Sequence, residues 1–410
     1  MKKIVIIGGG FGGIYTCKYL LKKLKNRRDV EINLINKNNY FVFTPMLHEV
    51  ATGGLNMHSS IEPIREILRA KNFKFIRDEV KEVDLKKKLV YFGSKTIAYD
   101  FLVIAIGAKS NFFNTPGVEK YALTLKSLDD AAKIRKKIIQ TLEESVNVTD
   151  KNKIKELLTF VIVGAGPTGV ELVAEIEEFI DQNLKYNYSI NKEYINILIV
   201  QKGSNILPKL DDYCIKLTQK RLESKGIKIL LNSNVTKVEE DYILINDKNK
   251  IYTKNIIWTA GITPNIIKTT PKLIDEKNYI HVNEYLQIEN FEQEFSLGDC
   301  ALFFDKEKKE YAPALAQVAV KQAKIVANNI IAKMYSKPLK EFKLELKGFL
   351  LSVGQGFGVA NLFGRHFTGL FAWFLWRTIY LNKVIGIKNK IRVGIDWALN
   401  LLFRRDTNEI

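Results

Sequence analysis

The sequence predicts an α/β protein: two Rossmann-like dinucleotide-binding domains, the second interrupting the first, and a carboxy-terminal set of amphipathic, membrane-associating helices. Three observations carry that prediction. A glycine-rich turn follows the first apolar run, the same turn returns at residues 164–169, and after Leu346 the texture shifts to Gly, Phe, Trp, Leu and basic residues. A chain of 410 residues is long enough for about two or three domains. Its 46% hydrophobic and 26% charged residues exclude wholesale disorder, a collagen-like fibre and a polytopic membrane protein.

Residues 4–7 are wholly apolar and β-branched, as a short buried strand requires, and 8–13 form its turn. Apolar residues recur at helical spacing over 14–24, and 31–35 is a second strand, which completes a βαβ unit. Residues 101–106 form another buried strand ending at Gly107, and 128–144 a helix rich in Ala, Lys and Ile. The grammar then repeats with a strand at 160–163, a turn at 164–169, a helix at 170–181 and a strand at 195–200. Residues 229–238 and 242–245 alternate like a hairpin, and 256–260 is a strand ending at Gly261 and Pro264. Residues 295–297 close the first sheet, with a long helix over 313–331 behind it.

The turn Gly8-Gly9-Gly10-Phe11-Gly12-Gly13 has glycine at every required place of GxGxxG. Gly8 permits the tight turn, Gly10 lets a pyrophosphate approach the backbone, and Gly13 lets helix and strand pack closely, with the phosphates on the helix N-terminus. Gly164-Ala165-Gly166-Pro167-Thr168-Gly169 repeats the pattern, with Glu171 just inside its helix. A flavin and a nicotinamide each need a nucleotide site, so two units imply two dinucleotides. The alternatives are a tight structural turn and a duplicated fold with one site lost. The acid that would accept from a ribose 2′-OH is replaced by Asn36 followed by Lys37, and by Gln201 followed by Lys202. A neutral or basic site tolerates a 2′-phosphate, so NADPH stands beside NADH as a candidate donor. Gly298-Asp299 stands where a flavoprotein of this architecture needs a short carboxylate for the ribityl hydroxyls, although an Asp after a Gly is more often a turn residue.

Cys17, Cys214 and Cys300 stand far apart, which gives neither a disulfide framework nor a local dithiol and fits a reducing compartment. With four histidines and none at ligand spacing to a cysteine or a second histidine, no metal site is expected, and electron chemistry falls to an organic cofactor. Lys and Arg exceed Asp and Glu by 63 − 45 = 18, a surplus that favours phosphates, phospholipid headgroups or nucleic acid. No presequence is legible before residue 4, so a protein kept in the cytoplasm of a bacterium-like cell is expected.

Over nearly its whole length the chain resembles a type II NADH:quinone oxidoreductase, the single-polypeptide, non-pumping flavoenzyme of respiratory chains. The resemblance rests on IVIIGGGFGG at 4–13, YFVFTPMLHEVATG at 40–53, LVIAIGA at 102–108 and FVIVGAGPTGVELVAEI at 160–176. It continues through IIWTAGI at 256–262, FSLGDCAL at 295–302, ALAQVAVKQA at 314–323, AWFLWRTIYL at 372–381 and IRVGIDWALNLLFRRD at 391–406. It implies that Gly8, Gly10, Gly13, Asn36, Lys37, Gly107 and Asp299, with Phe11 and Gly12 of the same turn, hold FAD. It further implies that Gly164, Gly166, Gly169, Gln201 and Gly261 hold the nicotinamide dinucleotide, and that Glu171 and Gln317 lie near the flavin, Gln317 offering its amide to a quinone carbonyl. The chain departs from the family pattern AQxAxQ at Lys321, a cation that would either stabilise charge on a quinol or sit as a solvated helix residue. It departs again at Gln201, where NADH-preferring members usually have Glu.

Residues 367–376 are strongly apolar, but Arg377 interrupts a run already short of the roughly 18 residues of a membrane span. From 391 onward Ile391, Ile395, Ala398, Leu399 and Leu402 form one stripe, and Arg392, Asp396, Asn400 and Arg404 another. Trp373, Trp376, Trp397 and Tyr380 suit the headgroup boundary, and the basic surplus of the tail suits an anionic surface. Packing of these helices against the enzyme or a second subunit is the alternative, and a homodimer stays open. The expected layout is an FAD domain over 1–115 and 285–345, an NAD(P)H domain over 116–284 and a membrane-associating module over 346–410. The expected function is hydride transfer from NAD(P)H to FAD and two-electron transfer to a ubiquinone- or menaquinone-type acceptor, at the cytoplasmic face of the inner membrane, with no nucleic acid and no pumping. Rivals are a reductase with a non-quinone acceptor, a sulfide:quinone oxidoreductase, disfavoured by the lack of cysteine after Leu346, and a non-catalytic basic flavoprotein that binds nucleic acid.

Overall fold

Each glycine turn sits at the end of a central strand in its own parallel sheet. The computed structural model describes residues 1–408 except 185, 186, 189 and 347. The chain forms two compact units, one of Met1–Val42, Ile61–Lys109 and Ile262–Leu346, the other of Phe43–Ser60, Ser110–Gly261 and Lys347–Ile410.

In the first unit the sheet order is Glu294–Ser296, Phe101–Ile104, Lys2–Ile7, Val30–Asn36, Phe73–Arg77. All four pairings are parallel, with Ile4 opposite both Ile32 and Phe101. Because the sheet is covered on both faces, its central strand is apolar without alternation, and Ile4, Val5 and Ile6 are fully buried. Helix Phe11–Leu24 packs on helix Ala316–Met334. A smaller sheet of Val80–Asp84, Leu89–Phe92, Lys95–Ala98 and Lys268–Thr270 adds Val83, Val90 and Phe92 to the same core. That pairing returns the chain to the first unit at Ile262, earlier than the boundary at 285 that the sequence suggests.

The second unit repeats the plan in the order Leu123–Thr124, Asn255–Trp258, Thr159–Val163, Asn196–Val200, Lys228–Leu230, again all parallel. The expected hairpin strand over 229–238 is two strands in two sheets. Lys228–Leu230 closes the parallel sheet, whereas Val235–Val238 pairs antiparallel with Tyr242–Ile245. The break falls at Asn232, whose φ of +50° turns the chain and whose N–H bonds Gly203 O at 3.0 Å.

After 347 the same unit gains an antiparallel sheet of Gly348–Ser352, Gly358–Leu362 and Arg365–Thr368, then helices Gly369–Lys383 and Ile387–Leu402. The apolar run 367–376 is therefore divided, its helix starting at Gly369 with φ of +67°. Among the described residues no helix is long and apolar enough to cross a membrane.

The last helix is inverted relative to an ordinary surface helix. Asp396 accepts from Ser59 Oγ at 2.6 Å and Asn56 N–H at 3.0 Å, and Asn400 donates to Gly54 O at 2.5 Å. The protein-facing side is thus polar around a buried Val393 and Trp397, while Ile391, Ile395, Leu399 and Leu402 are exposed at 47–77%. The tryptophans are not at a headgroup boundary: Trp373, Trp376 and Trp397 are at most 6% exposed. Burial there is favoured because Arg377 lies over the Trp373 and Trp397 rings and Trp376 stacks on Tyr380.

Candidate functional site

In the first turn, Gly8 adopts φ of +105°, and a Cβ there would stand 2.2 Å from Ala105 O. A Cβ on Gly13 would stand 1.8 Å from Gly8 O, so both are fixed as glycine by backbone contact. A Cβ on Gly10 meets nothing within 4 Å. This position leaves the backbone open at the N-cap of helix Phe11–Leu24, the room that a pyrophosphate would need there. Asn36 Oδ1 accepts from Gly9 N–H at 2.8 Å, so the amide that replaces the expected acid braces the turn, while Lys37 is exposed. Gly12 lies against Ala105 and Leu297, and Phe11 packs edge-on to Phe41. Asn265 holds the strand end at Gly107, bonding Ile106 O and Gly107 O at 2.8 and 3.0 Å.

Asp299 lies half-buried in the short turn Gly298–Cys300, and the turn is held by Gln322. Gln322, 2% exposed, accepts the Gly298 N–H at 2.8 Å. Sequence reading singled out its neighbours Gln317 and Lys321 instead. Gln317, on the first turn of helix Ala316–Met334, is half-buried. Lys321 donates to the backbone carbonyl of Glu345 and lies 3.8 Å from that residue's carboxylate. Its ammonium is thereby tied to the segment that ends the first unit.

The second turn repeats the first. A Cβ on Gly164 would meet Ala260 N at 2.6 Å, one on Gly169 would meet Gly164 O at 2.0 Å, and one on Gly166 meets nothing within 4 Å. Gln201 Oε1 accepts from Ala165 N–H at 3.0 Å, as Asn36 does from Gly9. Gly261 lies beneath the Phe113 ring.

Helix Pro167–Leu184 carries Glu171, Glu175 and Glu178 on one face, each at most 8% exposed. His48 and Glu49, from helix Leu47–Ala51, are buried too. Arg405 Nη1 lies 2.7 Å from Glu175 and 3.1 Å from Thr52 Oγ1. Trp397 Nε1 donates to both Glu49 oxygens at 3.1 and 3.2 Å, and Ser352 N–H approaches Glu171 Oε1 at 3.4 Å.

Burial, then the neighbouring Glu49 and Glu175, raises the Glu171 carboxyl well above the usual range. Burial and Glu175 raise Glu49 likewise. Burial acts upward on Glu175 as well, but Arg405 brings it below its ordinary value. Burial pushes His48 down to about 4, and its ring approaches Glu171, whose carboxyl burial pushes the other way, at 3.7 Å. His48 Nε2, Arg377 Nε and Arg405 Nε have no partner among the described residues, which leaves polar valence for water or a ligand. The arrangement can store a proton and release it.

Two parallel sheets, each with a braced glycine turn open where a pyrophosphate belongs, define a flavin- and nicotinamide-dependent oxidoreductase. Residues 2–323 match the pyridine nucleotide-disulphide oxidoreductase family, and 346–406 match the NDH2 C-terminal domain. A probable NADH dehydrogenase of Dictyostelium discoideum is 30% identical, over 99% of this chain and 90% of its own. A type II NADH:quinone oxidoreductase of Mycobacterium tuberculosis is 30% identical, over 98% and 89%. The solved NDH2 of Plasmodium falciparum in complex with NADH is 25% identical and superposes with a TM-score of 0.90, covering 99% of each chain. The chain belongs to the type II NADH dehydrogenases.

Proposed function

We infer that this protein oxidises NADH and reduces a respiratory quinone through FAD. The observation that carries the reading is the pair of glycine turns with open Gly10 and Gly166 positions, in a chain that matches NADH:quinone oxidoreductases over nearly its full length. When bound, FAD accepts a hydride from the nicotinamide and passes two electrons to the quinone.

Backbone N–H groups at the start of helix Phe11–Leu24 cradle the FAD pyrophosphate, and Asp299, held in register by Gln322, accepts from ribityl hydroxyls. Gly164, Gly166 and Gly169 do the same for the nicotinamide dinucleotide. Gln317 presents its amide to a quinone carbonyl, whereas Lys321 must leave Glu345 before it can do so. Glu171, whose carboxyl burial raises well above the usual range, supplies a proton to the reduced quinone and is recharged through the neighbouring carboxyls. Anaerobic stopped-flow tests the whole reading: NADH bleaches the flavin and a short-chain quinone restores it, and bleaching that quinone cannot reverse would sink the acceptor.

In Glu171→Gln the quinone half-reaction is expected to slow by about 10²-fold. The wild-type rate falls as pH rises through the raised carboxyl value, because the donor form is lost; the variant's rate is flat there. An unchanged pH profile removes Glu171 from this role.

We also propose that the protein docks on the anionic, cytoplasmic face of a membrane without spanning it. Supporting this, Leu370, Phe371 and Phe374 on one helix, and Ile391, Ile395 and Leu399 on the next, are 47–62% exposed. Burying a large aliphatic side chain is worth about 1.5–3 kcal/mol, so Ile391→Asp with Ile395→Asp is expected to weaken binding to phosphatidylglycerol vesicles by at least about 10²-fold. Unaltered co-sedimentation would assign the stripe to a second subunit instead.

A further inference from the structure

Asp211, Cys214 and His366 bring a carboxylate, a thiol and an imidazole together, with ligand atoms all within 4.8 Å of one another. Asp211 is the N-cap of helix Asp212–Ser224 and Cys214 lies on its first turn. His366 reaches them from strand Arg365–Thr368, 155 positions from Asp211 along the chain. No sequence spacing could have shown this grouping. Cys214 is fully buried, while the Asp211 and His366 side chains are 33% and 37% exposed, which leaves the group open to solvent on one side.

Hydrogen bonds hold the three groups against one another around the Asp211 carboxylate. His366 Nε2 lies 3.1 Å from Asp211 Oδ1 and 3.3 Å from Asn361 Nδ2. With a hydrogen on Nε2 the imidazole donates to Oδ1, which also accepts the Cys214 N–H at 3.0 Å, while Asn361 Nδ2 donates to Oδ2 at 3.1 Å. A cation in place of the Nε2 hydrogen would be met by lone pairs of both Nε2 and Oδ1, with the Cys214 sulfur within reach as a third donor.

We propose that Asp211, Cys214 and His366 bind a thiophilic divalent transition cation, of which Zn²⁺ is the type. A thiolate selects zinc over magnesium or calcium, and three protein ligands with a solvent-open fourth position are a stable zinc arrangement. Asn361, directly opposite His366 in the antiparallel pair, orients the Asp211 carboxylate, and the Tyr213 ring packs against the imidazole at 4.8 Å. The ion would bolt the carboxy-terminal sheet to helix Asp212–Ser224 within one unit.

The test uses the flavin-loaded full chain equilibrated with zinc chloride against a competing chelator. One Zn²⁺ per chain is expected, with affinity at least about tenfold lower in Cys214→Ser and in His366→Gln, and unchanged in Cys17→Ser and Cys300→Ser. Flavin content and unfolding temperature verify that each variant is folded. Zinc-edge X-ray absorption of the wild type, which depends on no variant, is expected to show one sulfur with nitrogen and oxygen ligands. Retention equal in wild type and Cys214→Ser, a shell without sulfur, or no retained zinc overturns the proposal.

Discussion

Gly169→Ala is expected to leave an enzyme that holds its FAD and is no longer reduced by NADH. The added Cβ would stand 2.0 Å from Gly164 O and 2.8 Å from Thr259 Oγ1, inside the contact of two backbones that cannot retreat separately. Thr259 Oγ1 is itself bonded to Val163 O and Gly164 O at 3.0 and 2.9 Å, so the turn must shift as a whole. A displacement of about 1 Å in a hydride-transfer geometry costs about 10²-fold, which sets the expected loss in flavin bleaching by NADH. Flavin reduced chemically by dithionite is still reoxidised by quinone at the wild-type rate. Gly13→Ala, with its Cβ 1.8 Å from Gly8 O, gives the complementary result of a colourless protein without FAD. If both variants keep flavin and both bleach normally, the assignment of one turn to each dinucleotide is lost.

Glu175→Gln is expected to destabilise the fold by about 3–5 kcal/mol, because it strips a buried Arg405 of its 2.7 Å partner and leaves the guanidinium uncompensated. Urea unfolding of the holoenzyme measures this directly, and a loss below ~1 kcal/mol would mean that Glu178 or Glu49 takes over the pairing. Glu49→Gln behaves differently. Its carboxyl is raised by burial and by Glu175, so the native state holds a proton that the unfolded chain releases. The stability this contributes is fully present below the unfolded carboxyl value of 4.5 and is lost as pH rises through the folded value. The variant cannot titrate there, and its stability relative to wild type is expected to improve on going from mildly acidic to alkaline pH. Thermal scans across that interval check the sign.

Both sheets were legible because their central strands are buried on both faces and end in glycine turns, features local in sequence and dictated by backbone contact. The return of the chain at Ile262 was not, since Lys268–Thr270 becomes a strand only by pairing with Val80–Asp84, far away in the chain. The buried acids were half visible: Glu171, Glu175 and Glu178 share one face of a helix in which Val170, Leu172, Val173, Ala174 and Ile176 surround the first two, a setting that water-facing acids do not need. Their partners Arg405 and His48 are set by tertiary contact and carry no spacing signal. Gln322 was passed over for the same reason, because only the fold shows which of two adjacent polar residues on helix Ala316–Met334 points at the Gly298 turn. In the tail the amphipathic period was correctly periodic, but periodicity cannot say which stripe faces the protein. The tryptophans were misplaced because their rings shield Arg377 and Glu49, which the sequence gives no reason to pair with them.

The inverted last helix ties two kinds of force to one surroundings. Its inner side is fastened by Asp396, Asn400 and Trp397 through hydrogen bonds, and its outer side offers Ile391, Ile395 and Leu399 beside the exposed Lys388 and Arg392. In water the first is weakened by competition and the second is penalised; beneath a lipid leaflet the competition is removed and the penalty becomes a gain. Under the docking proposed above, the leaflet would cover Ile391, Ile395 and Leu399 and so complete from outside what the chain leaves open. On that reading the clasp that covers Glu49 with Trp397 would depend on what lies against the outer side of the helix.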